Sequence, residues 1–180
     1  MTAGYLEGMH GGVSGEVLWK PVEQSWGLGL EANWSRQRDF DQLFGFQDYD
    51  VFTGHASLYW DTGYKGLYAQ VDAGRYLAGD WGATFTAKRR FANGWELGGF
   101  FTLTGVPFDD FGEGSFDKGL MLTVPFNWFL PIESRQDFTY TMRPLTRDGG
   151  QRLGVRNRLY PIVSGHDRQA LHRDWGSFWQ

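Results

Sequence analysis

The sequence contains no cysteine, which excludes disulfide bonds, Fe–S clusters, cysteine-ligated zinc and thiol chemistry. No window of about 20 residues is free of charge, so a membrane-spanning helix is not expected. A pI of about 5.5 argues against a nucleic-acid-binding surface. The chain carries no P-loop, G-x-S-x-G or H-E-x-x-H motif, and we predict no catalytic residue, metal site or cofactor.

The start of the chain lacks the features of a secretory signal peptide. Neither a basic n-region nor an apolar h-region follows Met1. The chain is therefore expected to be either a soluble protein or a mature or partial chain. We favour a fragment of a longer protein, because the first strand is expected to begin almost at residue 1.

Glycine and aromatic residues are abundant instead. The 180 residues include 26 Gly, 9 Trp, 8 Tyr and 15 Phe, with a formal net charge of −4 and a mean hydropathy of −0.44. So many Trp and Phe argue against disorder. A chain that is glycine-rich, aromatic and acidic without being hydrophobic overall is typical of a β-barrel exposed to lipid.

Apolar and polar residues alternate with a period of two, the period of a β-strand, along most of the chain. The clearest segment is 26–35, where Trp26 and Trp34 share one face with the leucines between them and Glu31 and Asn33 lie on the other. The same alternation predicts further strands at 51–60, 67–73, 83–91 and 95–104, and more weakly at 3–9, 13–20, 118–124, 137–143 and 152–160.

These roughly ten strands predict one all-β domain over residues 1–180, an antiparallel transmembrane β-barrel of about 8–10 strands or the C-terminal part of a larger barrel. Short connections alternate with longer ones, as in outer-membrane barrels with short periplasmic turns. The short connections are 21–24, 61–65 and 92–94, the long ones are 37–50 and 105–116, and the connection at 76–80 is of medium length. In such a barrel the polar face lines the lumen. The predicted lumenal residues are Glu31, Asn33, Thr53, His55, Gln70, Asp72, Thr84, Lys88, Arg90 and Glu96.

The spacing of the aromatic residues supports the membrane interpretation. Trp26 and Trp34 lie about 26 Å apart along an extended strand. A strand tilt of about 40° reduces this to about 20 Å, close to the apolar band of about 25 Å between aromatic girdles. Phe52 and Trp60 repeat the spacing. The alternative is a soluble β-sandwich or lipocalin-like barrel with Trp in its core, but its surface would then be rich in Gly, Thr and Tyr rather than in Lys and Glu.

One hairpin can be predicted in register. A three-residue loop, 92–94, places Arg90 opposite Glu96 on the polar face and puts Gly94 in a left-handed conformation. The pair either neutralises charge in a wet interior or lines a conduit or a plug. His55 is expected to be an isolated polar-face residue, and a short helix is predicted at 167–175.

Two loops carry residues suited to sugars or cations. The loop at 105–118 contains Asp109, Asp110 and Glu113, which permits calcium, a glycosidase carboxylate pair or simply an acidic surface loop. The loop at 36–50 contains Phe44, Phe46 and Tyr49 among carboxylates and amides. These aromatic rings suit the apolar faces of sugars. The alternative, which we favour, is an ordered loop that folds onto itself.

Several longer strings resemble the YjbH-type outer-membrane proteins of exopolysaccharide and capsule gene clusters. The strings are RQRDFD at 36–41, FGFQDYD at 44–50, GRYLAGD at 74–80, DFGEGSFDKG at 110–119 and PLTRDGGQRL at 144–153. Members of that family are much longer, so the chain resembles their C-terminal portion. The resemblance implies a β-barrel in the outer membrane of a Gram-negative bacterium that acts in exopolysaccharide production or export. It supplies no catalytic residues.

The expected function is therefore non-enzymatic. The expected partners are outer-membrane lipid, a polysaccharide and other exopolysaccharide-secretion proteins. The alternatives are a structural outer-membrane protein without a transported substrate, and a soluble β-barrel that binds or acts on carbohydrate.

Overall fold

The computed structural model describes residues 1–41, 43–106, 117–126, 137–143, 149–168, 170–171 and 175. Nearly all regular structure in this part of the chain is β-strand. The strands are β1 (Thr2–Tyr5), β2 (His10–Trp19), β3 (Trp26–Arg38), β4 (Phe46–Asp61), β5 (Leu67–Arg75), β6 (Trp81–Arg90), β7 (Glu96–Thr104), β8 (Lys118–Pro125) and β9 (Asp137–Met142). One short helix, α1, spans Leu159–Ser164.

The nine strands form one antiparallel sheet in chain order, from β1 at one edge to β9 at the other. This confirms the prediction of an all-β antiparallel fold. Because every neighbouring pair is antiparallel, β1 and β9 run in the same direction. The described strands leave the sheet open, with no pairing between β1 and β9.

Burial in this sheet is reversed relative to a soluble protein. The polar face, which carries Asn33 and Thr53, is buried, and these two side chains are 1% and 0% exposed. The apolar face is exposed, and its side chains Leu30 and Phe52 are 64% and 54% exposed. Soluble proteins rarely expose so large a contiguous apolar surface.

The polar face is buried because residues 149–168 lie across it. We call this segment the strap. It contains α1, and its Leu153 joins Leu6, Val51 and Leu77 in a small apolar cluster. In the described part of the chain no helix has the length and apolar character needed to cross a membrane.

Three predicted elements differ from the structure. The strand predicted at 3–9 ends at Tyr5, and residues 6–9 connect it to β2. The strand predicted at 152–160 is wrong, because those residues form an irregular segment followed by α1. The loop predicted at 37–50 is also wrong, since only 39–45 connect β3 to β4. The strands extend further than the alternation indicates, and Arg36 stabilises this extension through its Nε, which donates to the Gln47 carbonyl at 2.6 Å.

The helix predicted at 167–175 is present in part. Residues 168, 170 and 171 are helical. The Asp167 carboxylate accepts a hydrogen bond from the Ala170 amide at 2.9 Å, which satisfies one of the free N–H groups at a helix start. Residues 169 and 172–174 lie outside the described residues.

The hairpin prediction agrees with the structure. Arg90 is the cross-strand partner of Glu96, and their side chains form an ion pair. Gly94 has a φ of 82°, the left-handed conformation expected for this three-residue loop. The Phe91 amide donates to the Trp95 carbonyl at 2.8 Å and closes the loop.

Close strand approach at Gly74 gives a testable consequence. A Cβ atom there would lie 2.0 Å from the Gly54 carbonyl oxygen. Since neighbouring backbone cannot move aside cheaply, we expect Gly74→Ala to lower the free energy of unfolding by about 1–3 kcal/mol. Urea unfolding followed by tryptophan fluorescence measures the change.

The matched control is Gly8→Ala, because a Cβ at Gly8 meets nothing within 4 Å. Its expected change is within about 0.5 kcal/mol. Equal stability of the Gly74→Ala and Gly8→Ala variants would contradict the close approach.

Candidate functional site

The strap runs along the polar face from one end of the strands to the other. At the first end the Gly150 amide donates to Asp80 at 2.9 Å, and the Gln151 carbonyl accepts from the Leu77 amide at the same distance. At the second end, beside the turn that follows β2, Lys20 and Asp167 form an ion pair at 3.2 Å. The strap therefore covers the part of the face that the strand alternation makes polar.

Glu31 is the principal anchor for the strap. Its carboxylate accepts two hydrogen bonds from the Arg152 guanidinium, at 3.0 and 2.8 Å. Nη1 of Arg158 lies 2.7 Å from the same carboxylate. His55 Nδ1 lies 3.0 Å from Glu31 Oε1, and the two residues are direct partners across β3 and β4. One buried carboxylate thus holds two strap arginines that lie six positions apart in the sequence.

Asp72 is the second carboxylate of the face that binds the strap. Arg152 Nη1 contacts Asp72 Oδ1 at 2.8 Å, so Arg152 bridges β3 and β5. Ser57 donates to Asp72 at 2.5 Å, and the amide of Gln70 contacts both Asp72 oxygens. We call Glu31, His55, Asp72, Arg152 and Arg158 the charge cluster.

The charge cluster contains equal numbers of carboxylates and guanidiniums. Two carboxylates from the sheet meet two guanidiniums from the strap. Burial disfavours the charged form of Arg152, but its hydrogen bonds to Glu31 and the nearby Asp72 carboxylate outweigh this effect and raise the pKa of Arg152 above its ordinary value. The strap therefore carries fixed positive charge into the middle of the polar face.

Aromatic stacking holds the helical end of the strap. Tyr160 of α1 stacks on Tyr59 of β4, with ring centroids 3.9 Å apart and an interplanar angle of 7°. Tyr68 of β5 packs beside Tyr160 at 5.8 Å. The Glu16 carboxylate accepts a hydrogen bond from the Leu159 amide at 3.1 Å, where α1 begins.

Comparison with known proteins places these features in a family. A family model described as exopolysaccharide biosynthesis protein YbjH matches residues 1–165. The chain belongs to the YjbH family. A curated relative from Escherichia coli, named an uncharacterized lipoprotein YjbH, is 42% identical over 176 residues. The match covers 94% of this chain but only 25% of the relative, so the chain spans about a quarter of the relative's length. No solved structure matches the chain.

In this YjbH-family sheet the register places all ten predicted lumenal residues on the polar face. Cross-strand pairs connect them, among them Asn33 with Thr53 and Asp72 with Thr84. A lumen requires closure of the sheet, so the lumenal position stays a prediction. Burial separates the ten into three groups. The buried residues are Glu31, Asn33, Thr53, His55 and Asp72; the half-buried ones are Gln70, Thr84, Lys88 and Glu96; the exposed one is Arg90.

The structure brings some of the ten together and not others. Glu31, His55 and Asp72 belong to the charge cluster, so the expectation that His55 is isolated is wrong. Lys88 is the cross-strand partner of Tyr68 and lies on a strand outside the cluster. Arg90 and Glu96 form a separate ion pair beside the 92–94 loop.

Three of the predicted sugar-binding loop residues, Phe44, Phe46 and Tyr49, are described, and none of them belongs to the charge cluster. Phe46 and Tyr49 belong to β4 rather than to a loop. Phe46 stacks with Tyr5 at 6.2 Å, and the Tyr49 hydroxyl donates to the Leu77 carbonyl at 2.5 Å. Phe44 is exposed in the 39–45 connection. Asp109, Asp110 and Glu113 lie outside the described residues, as do the calcium and glycosidase hypotheses that rest on them.

Sequence reasoning missed the strap arginines. Arg152 and Arg158 lie in a segment whose alternation predicts a strand. Their partners are also distant in sequence, since 121 positions separate Arg152 from Glu31. One signal was available, because Arg152 lies in the string 144–153 that carries the family resemblance. Among the described residues, no group of three or more Asp, Glu or His side chains is placed to hold a metal ion.

Proposed function

We propose that this chain is part of a transmembrane β-barrel in the outer membrane of a Gram-negative bacterium. Its proposed role is non-enzymatic, in the production or export of an exopolysaccharide. The observation that carries the proposal is the reversed burial of the sheet, with an exposed apolar face and a buried polar face. Lipid on the apolar face would account for this arrangement.

Two aromatic pairs on the apolar face support a membrane position. Trp26 is the cross-strand partner of Trp60, and Trp34 is the partner of Phe52. The two pairs are separated by about 26 Å along the strands. At a strand tilt of about 40° they would lie about 20 Å apart along the membrane normal, as two aromatic girdles do.

Strand direction constrains how such a barrel would close. Since β1 and β9 run the same way, direct pairing between them would be parallel. An antiparallel barrel that includes this sheet needs an odd number of strands in addition to β1–β9. The curated relative, about four times as long as the matched region, has ample chain to supply them.

The family supports the link to exopolysaccharide, and the charge cluster supports a non-enzymatic role. Both sheet carboxylates of the cluster are ion-paired with strap guanidiniums. Pairing of this kind favours the ionised carboxylate, whereas a general acid must carry a proton. The name of the relative, a lipoprotein, supports a location in the cell envelope.

One observation favours a second candidate, a structural outer-membrane protein without a transported substrate. The strap occupies the polar face, and a barrel of about ten strands has an interior filled largely by side chains. Either candidate places the chain in the outer membrane, and they differ in whether secretion depends on it.

The test uses the natural full-length protein. Membrane fractionation and gel mobility before and after boiling report on a folded outer-membrane barrel, and a deletion strain reports on secreted exopolysaccharide. We expect an outer-membrane location, a mobility shift on boiling and loss of secretion in the deletion strain. A protein that stays soluble without detergent and shows no shift would refute the membrane proposal. Unchanged secretion with a clear shift would favour the structural candidate.

A further inference from the structure

Along its middle the strap is attached to the sheet by polar contacts. Its apolar contacts are confined to the two ends, at the cluster around Leu153 and at the stack of Tyr160 on Tyr59. Across the middle, ion pairs from Arg152 and Arg158 make the attachment. When the strap leaves, water or a hydroxylated ligand can bind both partners of each ion pair, so neither charge stays buried alone. A packed apolar core has no such replacement.

The strap covers the polar face but does not supply hydrogen-bond partners to all of its buried polar atoms. Four buried polar atoms of the face and strap have no hydrogen-bond partner among the described residues: Asn33 Oδ1, Ser35 Oγ, His55 Nε2 and Arg158 Nη2. A permanent protein core pairs nearly all of its buried polar groups. Three of the four belong to the sheet and form a row on β3 and β4 beside Glu31. Their mixture of donors and acceptors suits the hydroxyl groups of a glycan.

The strap also contains two residues whose backbone conformations suit a hinge. Gly150 and Asn157 have φ values of 71° and 58°, in the left-handed region that Gly and Asn tolerate best. They flank the segment that carries Arg152. Backbone rotation at such positions allows a segment to move while the strands remain fixed.

We propose that the strap is a releasable plug, whose Arg152 and Arg158 close the polar face by binding Glu31 and whose release exposes Ser35, Asn33 and His55 to the hydroxyls of a passing glycan. The inference rests on the proposed function, because it assigns regulation to the same polar face. The plug explains why the polar face of a barrel proposed to act in polysaccharide export is covered in this structure.

A disulfide lock tests the proposal directly. A Cβ built on Gly154 of the strap lies 3.8 Å from the Cβ of Glu7, which is the usual spacing in a disulfide. The 180-residue sequence contains no cysteine, so Glu7→Cys with Gly154→Cys adds a single pair to this region. The double variant is placed in the natural full-length protein, and secreted exopolysaccharide is measured with and without a reductant.

We expect the oxidised double variant to lose secretion to the level of the deletion strain, and the reductant to restore it. The Glu7→Cys single variant controls for loss of the Glu7 side chain and should secrete normally under both conditions. Equal secretion by the oxidised and reduced double variants, with the disulfide verified by gel mobility, would overturn the plug alone. A deletion strain that secretes normally would overturn the proposed function and the plug with it.

A second measurement examines the arginine anchor. In planar lipid bilayers, channels formed by the Arg152→Gln variant should open more often, and should have a higher mean conductance, than channels formed by the natural protein. Arg156→Gln is the matched control, because Arg156 lies in the same strap, is exposed and makes no ion pair among the described residues. Unchanged conductance of an Arg152→Gln variant that still shows the mobility shift on boiling would also overturn the plug.

Discussion

Replacing Glu31 by glutamine is expected to lower the free energy of unfolding by about 3–5 kcal/mol. The Glu31 side chain is almost fully buried and contacts Arg152, Arg158 and His55. An amide of the same shape removes the negative charge but leaves both guanidiniums in place. Arg152 then keeps only the Asp72 carboxylate, and Arg158 keeps only the more distant Glu16 carboxylate at 4.0 Å. A buried charge that loses its partner is strongly destabilising.

The measurement is urea unfolding of the protein in detergent micelles, followed by tryptophan fluorescence. The matched control is Glu96→Gln, which removes the partner of Arg90, an arginine whose side chain is 42% exposed. Solvent screens that pair, so its loss should cost no more than about 1 kcal/mol. A Glu31→Gln variant as stable as Glu96→Gln would show that the charge cluster does not hold the strap.

The difference between these two sites shows what sequence alone can reveal. Arg90 and Glu96 belong to one hairpin, and alternation plus turn chemistry set their register. Glu31 is just as clear in the sequence as a polar-face residue. Its strap partners are not, because no local periodicity connects positions 121 residues apart.

The same reasoning explains the incorrect strand at 152–160. Leu153 and Val155 alternate with polar residues, as they would in a strand. In the structure Leu153 instead packs into the apolar cluster at the first end of the strap, beside Leu77. Ion pairs from Arg152 and Arg158 then direct the segment along the polar face rather than into the sheet. Tertiary contacts decide the outcome where the local pattern is short.

The ends of β3 and β4 are the other place where the structure differs from the sequence prediction. Residues 36–38 and 46–50 are polar or mixed, so the clear alternation stops near Ser35 and Val51. The backbone nonetheless continues as strand, and Arg36 bridges β3 and β4 through Gln47 and Asp48. If the apolar face meets lipid, these polar extensions would project beyond the lipid into water. Both faces of a strand are polar there, so the sequence does not alternate.

The apolar face gives the second large prediction. Leu30 lies midway between Trp26 and Trp34, and its cross-strand partners Val17 and Ala56 are also apolar. In a bilayer this position is the midplane, where a lysine costs about 2–4 kcal/mol. In water the same substitution at an exposed site changes stability by no more than about 0.5 kcal/mol. We therefore expect Leu30→Lys to destabilise the protein folded in lipid vesicles by about 2–4 kcal/mol.

The control separates lipid contact from a general effect of adding charge. Val22 is 78% exposed and lies in the short connection between β2 and β3, outside the proposed apolar band. Val22→Lys adds the same charge and should change the free energy of unfolding by no more than about 0.5 kcal/mol. A Leu30→Lys variant that matches it in lipid vesicles would mean that lipid does not cover the apolar face. The reversed burial would then require a protein partner on that face, since neither the strap nor any other described segment covers Leu30.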